Sequence, residues 1–155
     1  MRVFVLGAGG QLGVELVSEL RRRSHEVSAY GRRDLDITDA SEIDREFAAH
    51  APQWVINSAA YNLVDVAEKE PELAMRINGL AVRSLARASQ KAGATFVQFS
   101  TDHVFDGTQE EPYVETDPPT PPSAYGISKL AGELYAQAYC EKLYIVRVAG
   151  VFGPA

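Results

Sequence analysis

The chain has 155 residues, 46% hydrophobic and 23% charged, which is enough for one soluble domain with a buried core. A formal net charge of −6 and an isoelectric point near 5.1 argue against nucleic acid as a partner. No apolar run reaches the ~18 residues of a membrane span, and the N-terminus lacks a secretory signal pattern, so we expect a cytoplasmic protein without membrane association. The lone Cys140 allows no internal disulfide, and the histidines lack metal-site spacing, so no metal is expected.

The first predicted elements are a strand, a glycine-rich turn and a helix. An apolar run is followed by three glycines in G-x-x-G-x-x-G spacing, Gly7, Gly10 and Gly13. Such glycines let the chain turn sharply, approach a pyrophosphate and pack the helix against the strand, while the helix N-terminus favours an anion. The turn therefore predicts a dinucleotide site. The strict G-x-G-x-x-G pattern would need glycine in place of Leu12, and an ordinary Gly-rich turn is the alternative.

The next predicted strand, residues 25–30, completes a βαβ unit after a helix that ends near Ser24. In a dinucleotide site the end of this strand reads the adenosine ribose: a carboxylate bonds a 2′-hydroxyl, whereas an arginine accommodates a 2′-phosphate. Here Arg32 and Arg33 follow the strand, with Asp34 beside them. This favours NADP(H), with NAD(H) as the alternative; two surface arginines in a polar loop are the other interpretation.

Two further strands and one helix are predicted in the following segment. Residues 35–37 predict a brief third strand, and residues 54–57 predict a fourth. Between them Asp39 begins a capping-box pattern, which indicates a helix to about His50.

Small residues at 58–62 follow the fourth strand. They would let a ligand lie against backbone at the carboxyl edge of the sheet, where open α/β folds bind ligands, although Tyr61 fits plain packing equally well. A long sheet-covering helix is predicted from Pro71 to Gly93. Residues 95–99 then predict a fifth strand, and the Ser-Thr-Asp-His segment after it should reach the same edge.

A long loop at 106–123 contains five prolines, so we expect it to be extended and stiff rather than helical. A helix at 124–141 and a strand at 143–148 follow it. The alternation of strands and helices predicts an α/β fold in which a parallel sheet carries helices on both faces and the strand ends converge at one crevice.

Tyr125 and Lys129 are four residues apart on the last predicted helix, hence on one face. A phenol exchanges protons poorly at neutral pH, but an adjacent ammonium favours the phenolate and brings it into a working range. Thr101 would hydrogen-bond a substrate carbonyl at the same crevice. The Y-x-x-x-K spacing also arises by chance, so its placement beside a dinucleotide turn is what indicates proton transfer coupled to hydride transfer.

Five segments resemble, in the same order, those of the dTDP-4-dehydrorhamnose reductase family of extended short-chain dehydrogenase/reductases. They are residues 7–13, 31–38, 55–61, 100–107 and 125–133. The resemblance implies a Rossmann-like doubly wound sheet, a nicotinamide cofactor and reduction of a nucleotide-linked 4-keto sugar to its 4-hydroxy form. It also implies catalysis by Thr101, Tyr125 and Lys129.

The resemblance also suggests a division of the protein. The family continues past this chain for roughly 130 residues that form most of the sugar-nucleotide pocket. We therefore expect residues 1–155 to be an NAD(P)-binding domain without the substrate-binding part, with a nucleotide sugar and a second copy of the chain as candidate partners. The expected cofactor contacts are Gly7, Gly10, Gln11, Leu12, Gly13, Arg32, Arg33, Asp36, Ile37, Ala59, Ala60, Tyr61, Tyr125 and Lys129.

Two other functions stay open at this point. Sugar-nucleotide dehydratases and epimerases are related enzymes, but the dehydratases typically carry Asp-Glu after the Ser-Thr pair, and this chain has Asp102 and His103. Loss of the glutamate favours reduction over dehydration. A related group of regulatory subunits binds NADP without catalysis, and a chain without the substrate half also fits that role.

Overall fold

The strands of this chain form one parallel sheet. The computed structural model describes residues 1–153, so Pro154 and Ala155 of the predicted 1–155 domain lie outside the described residues. Within the described part the strands are β1 (Arg2–Leu6), β2 (Glu26–Tyr30), β3 (Trp54–Asn57), β4 (Thr95–Thr101) and β5 (Leu143–Val148). Every pair of neighbours is parallel, and the order across the sheet is β2-β1-β3-β4-β5.

The helices connect the strands and cover the sheet. They are α1 (Gln11–Arg22), α2 (Ala40–His50), α3 (Val64–Ala67), α4 (Pro71–Met75), a π-helical turn (Arg76–Leu80), α5 (Ala81–Ala92), a 3₁₀ turn (Asp102–Val104) and α6 (Ala124–Tyr139). Each connection between successive strands contains at least one helix, as a sheet of parallel strands requires. The connection from β2 to β3 passes over β1, and the others join neighbouring strands.

Two apolar clusters lie on opposite faces of the sheet, because successive strand residues point to opposite sides. On one face Phe4 packs with Phe47 of α2 and Leu85 of α5. On the other face Val5 packs with Val17 of α1. Helices thus cover both faces, and the predicted Rossmann-like α/β fold is confirmed.

The predicted third strand at 35–37 is wrong. Leu35 is buried in the core, but its N–H donates to the Gly31 carbonyl (3.3 Å), a bond within a turn. Asp36 next accepts hydrogen bonds from the Thr38 N–H (2.9 Å) and hydroxyl (2.8 Å). An Asp side chain that bonds its own local backbone competes with a strand ladder, so this segment is a pair of turns that inserts one leucine into the core.

The predicted long helix from Pro71 is present, but it is not a regular α-helix throughout. A π-helical turn interrupts it at Arg76–Leu80, and Gly93 ends it in the left-handed region (φ +68°). The short helix α3 was not predicted, and α6 ends at Tyr139, two residues before the predicted end.

The strand order determines where a ligand can bind. The chain leaves β1 for β2 on one side and later returns to β3 on the other side of β1. In open parallel sheets the crevice at such a reversal, outside the carboxyl ends of the strands, is the usual ligand site. The glycine turn follows β1 at this point, and the small-residue segment follows β3.

Candidate active site

The glycine turn packs so tightly that side chains are excluded from two of its positions. Gly7 has φ +78°, and a Cβ placed on it would lie 2.5 Å from the Ala59 nitrogen. A Cβ on Gly13 would overlap the carbonyl oxygen of Gly7. The turn is therefore pressed against the loop after β3 on one side and against α1 on the other, as a close phosphate-binding turn requires.

A cleft of about 320 Å³ lies beside this turn at the carboxyl edge of the sheet. The predicted site residues that line it are Gly10, Gln11, Leu12, Gly13, Ala60, Thr101, Tyr125 and Lys129. Further lining residues, which were not predicted as contacts, are Ser58, Asn62, Phe99, Ser100, Val148, Ala149 and Val151. Ser58, Asn62 and Ser100 belong to the two segments that the sequence analysis expected at this edge. The rule that parallel strands open to ligands at their carboxyl ends could also have identified Val148 and Ala149, at the end of β5.

Close approach between α6 and the 3₁₀ turn brings Tyr125 towards Thr101. A Cβ on Gly126 would overlap the carbonyl oxygen of His103, so only glycine allows the two segments to meet. The start of α6 is fixed by hydrogen bonds from Ala124 N to Glu68 Oε1 (2.7 Å) and from Gly126 N to the Ser123 hydroxyl (3.1 Å). The first turn of α6 therefore presents its tyrosine at a defined place in the cleft.

Lys129 lies one turn further along α6 and is buried, with 5% of its surface exposed. Its Nζ donates to the carbonyl oxygen of Phe99 on β4 at 2.7 Å. Burial lowers the pKa of this lysine to about 8, while the nearby Glu133 carboxylate opposes that change. The ammonium has three donors, so the Phe99 bond leaves two for a ligand in the cleft.

Tyr125 differs from the expectation in its protonation. Burial raises the pKa of its phenol above the ordinary value, the side chain of Thr101 opposes the rise, and the Asp102 carboxylate adds to it. The predicted lowering by Lys129 is not seen: the causes of the shift are burial, Thr101 and Asp102, and the Lys129 ammonium donates to the Phe99 carbonyl instead. At neutral pH the phenol thus keeps its proton, which is the state that a proton donor needs.

A buried asparagine that the sequence analysis missed holds α6 to the loop after β3. The side chain of Asn78, in the π-helical turn, accepts from Tyr61 N (2.8 Å) and donates to Tyr61 O (2.9 Å). It also donates to the Ser128 hydroxyl (3.0 Å), which in turn donates to Tyr125 O (2.7 Å). The irregular turn thus aims one carboxamide at both walls of the cleft, in keeping with the frequent occurrence of π-bulges at functional sites.

A buried ion pair supports the far side of Lys129. Glu133, which is 1% exposed, accepts two hydrogen bonds from Arg147, at 3.0 and 2.7 Å. The Arg147 guanidinium also lies over the ring of Phe105, 5.0 Å from its centroid. This two-point contact joins α6 to β5 and to the start of the proline-rich loop.

The remaining predicted contacts lie outside the cleft: Gly7, Arg32, Arg33, Asp36, Ile37, Ala59 and Tyr61. Gly7 and Ala59 pack against each other beneath it, and Ile37 packs on the core. The Tyr61 hydroxyl donates to Glu70 (2.7 Å). Both Arg32 and Arg33 are exposed in the turn after β2. Asp36 is engaged by Thr38, and these hydrogen bonds lower the pKa of its carboxyl.

The residues at the cleft fit a dinucleotide. The Gly7–Gly13 contact leaves no room for side chains where a pyrophosphate would approach the start of α1. Ser100, which lines the cleft, has a buried hydroxyl with no partner among the described residues. In residues 1–153 no group of three or more His, Cys, Asp or Glu side chains is arranged to hold a metal ion, and no helix there is long and apolar enough to cross a membrane.

A Rossmann-like sheet with a glycine turn and a Thr-Tyr-Lys set at one cleft defines the class of short-chain dehydrogenase/reductase folds. Comparison with known proteins narrows this class. The family model described as "RmlD substrate binding domain" matches residues 1–155, and the chain belongs to this family.

Several of the similar proteins are reductases of the predicted kind. A dTDP-4-dehydrorhamnose reductase of Streptomyces griseus is 46% identical over 156 residues, covering 98% of this chain and 50% of that protein. A crystal structure of a dTDP-4-dehydrorhamnose reductase from Clostridium acetobutylicum has a TM-score of 0.97 at 42% identity and covers 100% of this chain and 55% of that one. A Bacillus anthracis enzyme of the same name, solved with NADP, has a TM-score of 0.93 at 41% identity and covers 96% and 53%. The predicted family is confirmed, and the chain spans about half the length of these relatives.

Proposed function

We propose that this chain is the cofactor-binding part of an NADP(H)-dependent reductase that acts on a nucleotide-linked 4-keto sugar, of the dTDP-4-dehydrorhamnose type. The observation that carries the proposal is the meeting of the glycine turn with Thr101, Tyr125 and Lys129 at one cleft. The name of the Streptomyces griseus relative and the NADP complex of the Bacillus anthracis relative support the substrate class and the cofactor.

In this proposal the cofactor supplies the hydride, and the chain supplies the proton and the positioning. Tyr125 keeps its proton at neutral pH, as a phenol whose pKa lies above the ordinary value must, so it can donate that proton to the carbonyl oxygen as the carbonyl is reduced. Thr101 lies beside the phenol. Its single hydroxyl proton, which is donated to Asp102 in the free chain, would turn to hold the same carbonyl oxygen. Lys129, anchored on Phe99, would use its remaining donors to hold the ribose next to the nicotinamide.

The preference for NADP(H) rests on Arg32 and Arg33. Both are exposed at the end of β2, the position from which an adenosine ribose is read in this fold. Asp34 is the nearest carboxylate in sequence, but it accepts a hydrogen bond from Gly31 N at 2.7 Å. That bond ties the carboxylate to its own turn, which leaves the two guanidinium groups as the charged groups for a 2′-phosphate.

The sequence of the segment after Thr101 supports reduction rather than dehydration. Asp102 accepts from the Thr101 hydroxyl at 3.0 Å, and His103 follows it, with its ring edge-on to Tyr125 at 5.5 Å. A dehydratase of this class would carry glutamate in place of that histidine. A non-catalytic NADP-binding role is distinguished by experiment, because it predicts cofactor binding with no turnover in any longer form.

The first test separates binding from chemistry. NADPH should bind the purified chain in a fluorescence titration, and Tyr125→Phe should leave the Kd within about twofold because only a hydroxyl is removed. Lys129→Met should weaken binding at least about tenfold, since it removes a charged donor. In any form of the protein that reduces sugar nucleotide, Tyr125→Phe should lower kcat by roughly 10²- to 10⁴-fold.

Two results would count against the proposal. Absence of NADPH binding by the unsubstituted chain would remove the assigned cofactor site. Turnover by Tyr125→Phe at a near-normal rate would show that another group donates the proton.

A further inference from the structure

A second buried carboxamide lies beneath the cleft, on β4. Gln98 is 2% exposed and lies on the same side of the strand as the core residue Phe96. A carboxamide in such an apolar face is costly unless both of its ends are hydrogen-bonded. Here both ends are bonded: Oε1 accepts from Asn57 Nδ2 at 2.8 Å, and Nε2 donates to the Phe99 carbonyl oxygen at 2.8 Å.

The Phe99 carbonyl is the acceptor that also anchors Lys129, at 2.7 Å. A carbonyl oxygen has two lone pairs, and these two donors occupy them. Strand β3 ends at Asn57, which pairs with Gln98, so Phe99 has no partner residue on β3. The side chain of Gln98 therefore takes the place of the missing strand neighbour and fixes the direction in which this carbonyl can receive the ammonium.

The other end of the bridge leads to the glycine turn. Asn57 Oδ1 accepts from Ala59 N at 3.2 Å, and that nitrogen lies directly beneath Gly7. One chain of hydrogen bonds thus runs from the loop under the phosphate turn, through Asn57 and Gln98, to the anchor of Lys129. It joins the two walls between which a dinucleotide would lie.

We propose that Gln98 is a positioning residue for cofactor binding, which acts by holding the Phe99 carbonyl that anchors Lys129. The proposal rests on the proposed function, because Lys129 is the group that would hold the ribose. Removing the Gln98 carboxamide leaves Asn57 Nδ2 without its acceptor and frees one lone pair of the Phe99 oxygen. The ammonium then loses its single defined position, and the cofactor should lose the contacts that depend on it.

A double-mutant cycle on the purified chain tests this action through Lys129. Gln98→Met keeps the length of the side chain and removes both polar ends. In the otherwise unsubstituted chain it should weaken NADPH binding roughly five- to tenfold, the size expected for one lost hydrogen bond. In the Lys129→Met background the same change should alter the Kd less than about twofold, because the group it positions is already gone.

Two further variants keep the test decisive. Gln98→Asn retains a carboxamide in the core but is one methylene too short to reach both partners, so it should fold and give the same non-additive pattern. Ile43→Val, at a buried position on α2 that does not line the cleft, is the control for a modest loss of stability, and its effect on the Kd should be small and equal in both backgrounds.

The outcomes distinguish failure of the positioning role of Gln98 from failure of the proposed function. An equal loss on Gln98→Met with and without Lys129 would show that Gln98 acts independently, and no loss in either background would show that it has no part in binding. Either result would overturn the positioning role and leave the proposed function intact. Failure of the unsubstituted chain to bind NADPH would overturn the proposed function and this inference with it.

Discussion

Lys129 is a buried lysine whose surroundings disfavour its charged form. Its ammonium has one short bond to the Phe99 carbonyl, and Glu133 lies one helical turn away, engaged by Arg147. Burial outweighs these contacts and lowers the pKa of the lysine to about 8. A group of this kind lowers the stability of the free protein near neutral pH and is typical of a functional site rather than of a structural one.

The loss of stability caused by the buried Lys129 charge can be measured through its pH dependence. Between the folded pKa of about 8 and the unfolded value near 10.4, the unfolded chain binds more protons, so the free energy of unfolding should rise with pH. At neutral pH the lowered pKa of Lys129 reduces the free energy of unfolding by an amount on the order of 3 kcal/mol. Lys129→Met should therefore be more stable than the original chain near pH 7, and this advantage should shrink as the pH rises towards 10. Thermal melting at several pH values checks it.

A matched lysine controls this comparison. Lys142 is exposed and also donates to a backbone carbonyl, that of Gly93, at 3.1 Å. Lys142→Met tests whether losing any lysine reproduces the trend. If the stability difference between Lys129→Met and the original chain stayed constant from pH 7 to 10, the lowered pKa assigned to Lys129 would be wrong.

The exposed arginine pair gives a second residue-scale prediction. Arg32→Gln with Arg33→Gln should weaken NADPH at least about tenfold, because charge-assisted bonds to a phosphate are lost, and should leave NADH unchanged. Arg22 and Arg23 offer a matched control, since both bind Glu19 at 2.7 Å at the end of α1. The Kd values of NADPH and NADH for both double variants, measured by titration, test this prediction. Equal losses of affinity for NADPH and NADH would reject a 2′-phosphate site.

At the scale of elements, local patterns predicted most of the fold and missed what depends on distant partners. The cap at Asp39 and the stop at Gly93 are local signals: α2 begins after Asp39 and α5 ends before Gly93, as predicted. The π-helical turn within the predicted long helix has no such local signal. The segment 35–37 was predicted as a strand because two apolar residues, Leu35 and Ile37, alternate with a polar one, which is the period of a strand. Gln98 could not be recognised from the sequence, since its acceptor role depends on Asn57, 41 residues away.

The candidate site divides in the same way. The glycine turn and the Tyr125/Lys129 spacing are short motifs that the sequence shows directly. Their meeting at one cleft was expected from the parallel sheet that the alternation of strands and helices predicts. The direction of the pKa shift of Tyr125 could not be predicted in this way, because it depends on how deeply α6 packs and on the neighbouring Thr101 and Asp102. Those facts are set by contacts such as Gly126 against His103, which no periodicity reveals.

The tight packing between the turn after β1 and the start of α1 predicts that Gly13 cannot be replaced by alanine. In an ordinary helix interior, glycine to alanine favours the helix by about 1 kcal/mol. At Gly13 the new Cβ would overlap the Gly7 carbonyl, so Gly13→Ala should instead lower the melting temperature and abolish NADPH binding. Gly9→Ala is the matched control, because a Cβ there has nothing within 4 Å, and its melting temperature should be unchanged. Equal behaviour of the two variants would contradict the tight turn.

At the scale of the whole molecule, the cleft is small for the reaction proposed. Its volume of about 320 Å³ is near the lower end of the ~300–1,000 Å³ typical of a site for one small ligand. Its walls are the glycine turn, the strand ends and the α6 residues that would contact a dinucleotide. A nucleotide sugar bound together with the cofactor would need further walls, which the described residues do not form.

The last prediction follows from this shortage of walls: the 155-residue chain should bind NADPH but reduce sugar nucleotide poorly or not at all. Holding two reactants in a near-attack geometry supplies roughly 7–11 kcal/mol of a barrier, whereas a general acid such as Tyr125 supplies only about 10²- to 10⁴-fold in rate. The acid cannot replace the positioning. A steady-state assay with NADPH and dTDP-4-dehydrorhamnose, beside a form extended to the length of the relatives, measures the difference. Comparable kcat/KM for the two forms would show that residues 1–155 already hold the sugar nucleotide.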